Sequence, residues 1–119
     1  MLFRIDPTID TPIFTQIADS VRTEAAAGRL HAGERLPSAR EVAGALGVNA
    51  HTVLHAYQDL RDEGLVELRR GRGAVVTDTA DVLSSMHDDI RRLAAKAAAA
   101  GLPSQTLTAL IQEALREYT

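Results

Sequence analysis

A chain of 119 residues with 13 Lys+Arg against 16 Asp+Glu carries a formal net charge of -3. That length suits one domain, or a small domain with an appendage, and excludes a large α/β enzyme fold. The absence of cysteine excludes disulfides, thiolate metal sites and thiol nucleophiles, and the mildly acidic balance argues at first sight against nucleic acid.

In chain order, Leu2-Phe3-Arg4-Ile5 reads as a short extended segment ended by Asp6-Pro7. Pro12 suits the first position of a helix, and Ile13, Ile17, Val21 and Ala25 give that helix one apolar stripe. Gly28 ends it, Leu30 anchors the exit, and His31-Ala32-Gly33-Glu34-Arg35 reads as a turn. Ser38 followed by Glu41 forms the S-x-x-E capping box, in which each side chain satisfies a free amide at a helix start. Val42, Ala43 and Leu46 face inward on the short helix so opened, and Gly47 stops it. Asn49 is a good cap for a third helix running to about Glu63, with Gly64 as its stop. Val53, Tyr57 and Leu60 share its inner face; His51, His55, Gln58 and Asp62 fall opposite.

A helix of about eight residues, a turn of about three and a longer helix make a helix-turn-helix. Leu65 to Arg69 and Ala74 to Thr77 read as two strands around the glycine-rich turn Arg70-Gly71-Arg72-Gly73. A basic-tipped hairpin directly after a helix-turn-helix is the wing of a winged-helix domain. Beyond it, Val82, Met86, Ile90, Leu93 and Ala97 recur at helical spacing. Gly101-Leu102-Pro103 ends that helix, and Ser104 can cap a second carrying Leu107, Leu110, Ile111, Ala114, Leu115 and Tyr118 on one side. The expected fold is mainly α with a small β-hairpin. A winged helix-turn-helix domain occupies residues 1–77, and a two-helix hairpin occupies residues 78–119. Twenty alanines against four aromatic residues leave the C-terminal helices little bulk of their own. Helices gain most of their stability from packing, so pairing of two copies across a two-fold axis is the economical expectation.

The motifs Pro12-Ile13-Phe14-x-Gln16-Ile17, Gly33-Glu34-Arg35-Leu36-Pro37-Ser38-x-Arg40-Glu41-Val42-Ala43, Leu46-Gly47-Val48-Asn49-x-x-Thr52-Val53, Leu60-x-x-Glu63-Gly64-Leu65-Val66 and Arg70-Gly71-Arg72-Gly73 resemble the GntR family of transcriptional regulators. The short C-terminal part resembles its YtrA-type subgroup. The resemblance implies a homodimeric repressor on a palindromic DNA operator, with the C-terminal helices as dimer interface. It carries Arg40 as the arginine opening the second helix, Asn49, Ala50, His51 and Thr52 as the start of the recognition helix, and Gly71 as the wing glycine. Fatty-acid-type relatives have base-reading arginines at the places of Ala50 and Leu54, and many YtrA-type relatives have one at the place of His55, so no operator sequence carries over.

The candidate DNA-binding residues are therefore Ser38, Arg40, Asn49, Ala50, His51, Thr52, His55, Arg69, Arg70, Gly71 and Arg72. His51 and His55 also stand at a metal-binding spacing, but no third ligand accompanies them in sequence, and no metal is expected. No glycine-rich phosphate loop is present, and Ser84, Ser85 and His87 on one helix make no triad. Neither catalysis nor a cofactor is expected. A winged-helix protein-interaction module is the alternative, because folds do not fix functions. With no apolar run long enough for a membrane span, the expected location is cytoplasmic. Any effector ligand is left open.

Overall fold

The computed structural model describes residues 3–119. Its elements are α1 (Ile13–Ala26), α2 (Ala39–Leu46), α3 (Ala50–Asp62), β1 (Val66–Arg69), β2 (Gly73–Val76), α4 (Thr79–Ala99) and α5 (Ser104–Leu115), followed by a 3-10 turn at Arg116–Tyr118. No helix among the described residues is long and apolar enough to cross a membrane. The chain divides into two compact units, Met1–Met86 and His87–Thr119.

The first unit is built around α3, which packs on both α1 and α2. Val53, Ala56 and Leu60 of α3 have no exposed surface, and Ile17, Val21 and Ala25 of α1 meet them in the core. Burying a side chain the size of Ile17 or Leu60 stabilises the fold by about 1.5–3 kcal/mol. Tyr57 is buried too, and its hydroxyl donates to the Pro37 carbonyl at 2.6 Å, tying α3 to the start of α2. Ala80 is buried and Leu83 packs against the same core, so the first two turns of α4 belong to this unit.

The strands pair antiparallel with Val66 opposite Val76 and Arg69 opposite Gly73. The other edge of β2 is occupied by residues 33–36, expected above to be only a turn. Arg35 bridges to Val75, the Leu36 amide donates to the Ala74 carbonyl at 2.9 Å, and the Gly33 amide donates to the Val76 carbonyl at 2.8 Å. Backbone groups that β2 would otherwise leave bare are thereby paired, as burial of this strand demands.

Gln16 closes the N-terminal side. Its carboxamide accepts from the Asp6 amide at 2.6 Å and donates to the Asp6 and Thr11 carbonyls at 3.0 and 2.8 Å. The expected extended segment forms no strand over residues 3–6; Arg4 instead bonds Ser20 Oγ through its amide and carbonyl. Leu2 of that segment lies outside the described residues. Two helix starts differ by one position. Pro12 and Pro103 sit at the caps of α1 and α5 with extended backbone, and Ser104 is the first helical residue rather than a cap. Proline needs no helical amide partner at either position, which is why sequence alone places it loosely.

In the second unit α5 buries none of its residues, and α4 and α5 do not pack along one another. Of the stripe residues, Val82, Met86, Ile90, Leu93, Leu110, Ile111, Ala114, Leu115 and Tyr118 are exposed, and Leu107 is half-buried.

Burial raises the Tyr57 phenol well above its ordinary value of 10.0. The folded chain thus keeps a proton that the unfolded chain gives up first, so stability is full below about pH 10 and falls as pH rises beyond it. Urea titrations should show this alkaline loss in the wild type and its absence in Tyr57→Phe. At neutral pH that variant should lose about 1–2 kcal/mol for its missing hydrogen bond.

Candidate nucleic-acid interface

Both helix starts of the helix-turn-helix are held by side chains. The Glu41 amide donates to Ser38 Oγ at 3.1 Å, and the Ser38 amide donates to Glu41 Oε1 at 3.4 Å, closing the capping box. Gly47 ends α2 with φ +69, a left-handed backbone that favours glycine. Asn49 then caps α3: its Oδ1 accepts from the His51 amide at 2.8 Å. The hydroxyl oxygen of Ser38 and the amide oxygen of Asn49 are therefore committed to caps. The Asn49 NH2 group and the Ser38 hydroxyl proton keep donor capacity.

Ser38, Arg40, Asn49, Ala50, His51 and His55 are exposed, and Thr52 is half-buried. His51 stands free at the first turn of α3. His55 does not: its ring stacks on Phe14 of α1, with centroids 3.9 Å apart and planes 16° apart, and its Nε2 lies 3.8 Å from Asp59 Oδ1. The outward face expected for His55 is thus half occupied by α1. Phe14 stands beside Ile13 in the motif, but nothing local in the sequence shows that it reaches across to α3. Among the described residues no group of three His, Cys, Asp or Glu is placed to hold a metal.

The wing tip is a turn in which the Arg72 amide donates to the Arg69 carbonyl at 3.1 Å and Gly71 takes φ +80. A turn with positive φ at its third residue requires glycine or asparagine, which accounts for glycine between two arginines. Arg69 pairs with Glu67 at 2.7 Å, with both side chains about half exposed. Such a surface pair is worth little, yet it partly neutralises Arg69. Arg40, Arg70 and Arg72 stand in no ion pair among the described residues. Arg72 and Gly73 line one open concavity with Pro37, Ser38 and Glu41. The wing tip and the start of α2 therefore border one concavity.

Residues 14–76 match the family model described as "Bacterial regulatory proteins, gntR family". The chain is similar to the HTH-type transcriptional repressor YtrA of Bacillus subtilis, with 31% identity covering 94% of this chain and 91% of that protein. Among solved structures, YtrA from Sulfolobus acidocaldarius, a GntR-family transcription factor, aligns with a TM-score of 0.60 and 35% identity, covering 96% of this chain and 97% of that one. A GntR family transcriptional regulator from Listeria monocytogenes aligns with a TM-score of 0.63 and 26% identity over 92% of this chain and 98% of that one. The matched segment is the one that carries the helix-turn-helix and the wing, and the chain belongs to the gntR family of bacterial regulatory proteins, in its YtrA-type branch, as a DNA-binding transcriptional regulator.

Proposed function

We propose that the protein is a repressor that binds a palindromic operator as a homodimer, with residues 1–77 reading DNA and residues 78–119 joining the two copies. The observation that carries this reading is the adjacency of wing and helix-turn-helix. Arg72 shares a concavity with Ser38, and Arg40 and Arg70 are exposed cations in no ion pair among the described residues. In this reading α3 enters the major groove with Asn49, Ala50, His51 and Thr52 foremost. His51 donates or accepts at base edges, and His55 contributes from its seat against Phe14. Arg40, with Ser38, and the wing residues Arg69, Arg70, Gly71 and Arg72 hold the phosphate backbone, which sets register and affinity. The name of the Bacillus subtilis relative supports a repressor.

The second half of the reading rests on the exposed stripe. Ile90 and Leu110 are 50% and 59% exposed in the single chain, and a series of exposed apolar side chains at helical spacing supports an interaction face. A second copy with the same stripe buries it by symmetry. Two copies joined in this way present two α3 helices to half-sites about 10 bp apart, or a multiple of that.

Three measurements test the reading. Binding to DNA from upstream of the protein's own gene should weaken steeply with salt, and Arg40→Ala or Arg70→Ala should each lower the log-log slope by about 2, one phosphate in each half-site, without changing sequence preference. Salt-independent binding would contradict it. His51→Ala should cost about 1–3 kcal/mol on the preferred site and flatten discrimination at one base pair per half-site; unchanged discrimination would remove His51 from base reading. Sedimentation at micromolar concentration should give a dimer for the wild type, and Ile111→Asp should give monomers or unfolded chain. A wild-type monomer would refute the pairing.

A further inference from the structure

Arg35 has no place in the interface outlined above, yet it lines the same concavity as Ser38, Glu41, Arg72 and Gly73. Its backbone is fixed by the bridge to Val75, while the next residue, Leu36, bonds Ala74 and is buried with it in the core. Side chains alternate along an extended segment. Leu36 therefore points inward and Arg35 to the opposite side, shared with its buried partner Val75, where Arg35 itself is exposed. Two acids also line the concavity, and both are engaged with backbone amides. Glu34 accepts from the His31 amide at 3.1 Å, and Glu41 accepts from Ser38 in the capping box. Neither Arg35 nor Arg72 stands in an ion pair among the described residues, and both are exposed. The concavity is thus lined by two arginines from separate elements, neither in an ion pair among the described residues, together with a capped helix start.

A guanidinium is a planar fork of donors that matches phosphate oxygens, and two forks on one concave wall suit one anion better than two. We propose that Arg35 and Arg72 clamp a single backbone phosphate of bound DNA, so that the edge segment before α2 is a fourth contact element beside α3, the start of α2 and the wing. This rests on the operator-binding reading above and adds to it a residue and a geometry.

The test uses the full chain and duplex DNA from upstream of its gene, with anisotropy titrations across a chloride series. Arg35→Gln removes the charge and keeps a polar side chain; Arg35→Lys keeps the charge. Arg29→Gln is the control, since Arg29 pairs with Glu24 at 2.9 Å. Arg35→Gln and Arg72→Gln should each weaken binding about tenfold, in the range of a charged hydrogen bond. The double variant should lose clearly less than the product of the two and lower the salt slope by about 2, the share of one phosphate in each half-site. Arg35→Lys should recover most of the loss, and Arg29→Gln should bind as wild type. A wild-type slope and affinity for Arg35→Gln overturn the clamp, whether or not that variant melts earlier. Multiplicative losses with a slope change of about 4, two phosphates in each half-site, also overturn it, by giving each arginine its own phosphate. A wild type that binds no DNA overturns the operator reading and the clamp together, whereas tight, salt-sensitive wild-type binding with an unaffected Arg35→Gln overturns the clamp alone.

Discussion

The seating of α3 is the constraint from which the rest of the first unit follows. Its inner face, Val53, Ala56, Tyr57 and Leu60, is buried against α1 and α2. Three further ties radiate from it. The Tyr57 hydroxyl holds the Pro37 carbonyl just before the capping box, the Leu65 amide donates to the Leu60 carbonyl at 2.9 Å where the chain turns into β1, and Glu63 accepts from Arg22 of α1 at 2.9 Å. One helix thereby fixes the start of α2, the root of the wing and the exposure of its own first turn. Because the core is thin, as a domain of this size allows, loosening that inner face displaces all three elements of the proposed interface at once.

The net charge of -3 is a poor guide to this surface because the charge is unevenly distributed. Residues 69–73 hold three arginines and no acid, whereas residues 78–89 hold Asp78, Asp81, Asp88 and Asp89 and no Lys or Arg. At physiological salt an exposed charge is felt over about 8 Å. A phosphate at the wing tip responds to the cations beside it and not to the chain total. Ion pairing refines the same point: Arg69 is partly neutralised by Glu67, and Arg22, Arg29 and Arg61 are engaged with acids, whereas Arg35, Arg40, Arg70 and Arg72, the cations of the proposed DNA contacts, stand in no ion pair among the described residues.

What was legible in the sequence is what depends on near neighbours. The capping box of Ser38 and Glu41, the cap at Asn49, the stop at Gly47 and the glycine turn of the wing are each set within about five residues, and each stands in the structure. The apolar spacing of α1 and α3 was legible for the same reason. The Gln16 clamp, the stack of His55 on Phe14 and the edge pairing of residues 33–36 were not, because each joins segments that only the folded chain brings together. The stacked ring changes the reading of the site most. His55 shares its surface with α1, so His51 is the freer of the two for bases. In the C-terminal helices the stripe itself was legible, and its exposure makes a second copy the partner that the account requires.

The account stands or falls on whether two α3 helices meet DNA with two-fold symmetry. Footprinting of the DNA upstream of the protein's own gene is the most direct measurement. The account predicts two protected half-sites related by a dyad, their centres about 10 bp or a multiple apart, both lost together when the C-terminal stripe is disrupted by Ile111→Asp. A single unsymmetric footprint, or protection that survives in the monomeric variant at unchanged concentration, would contradict it.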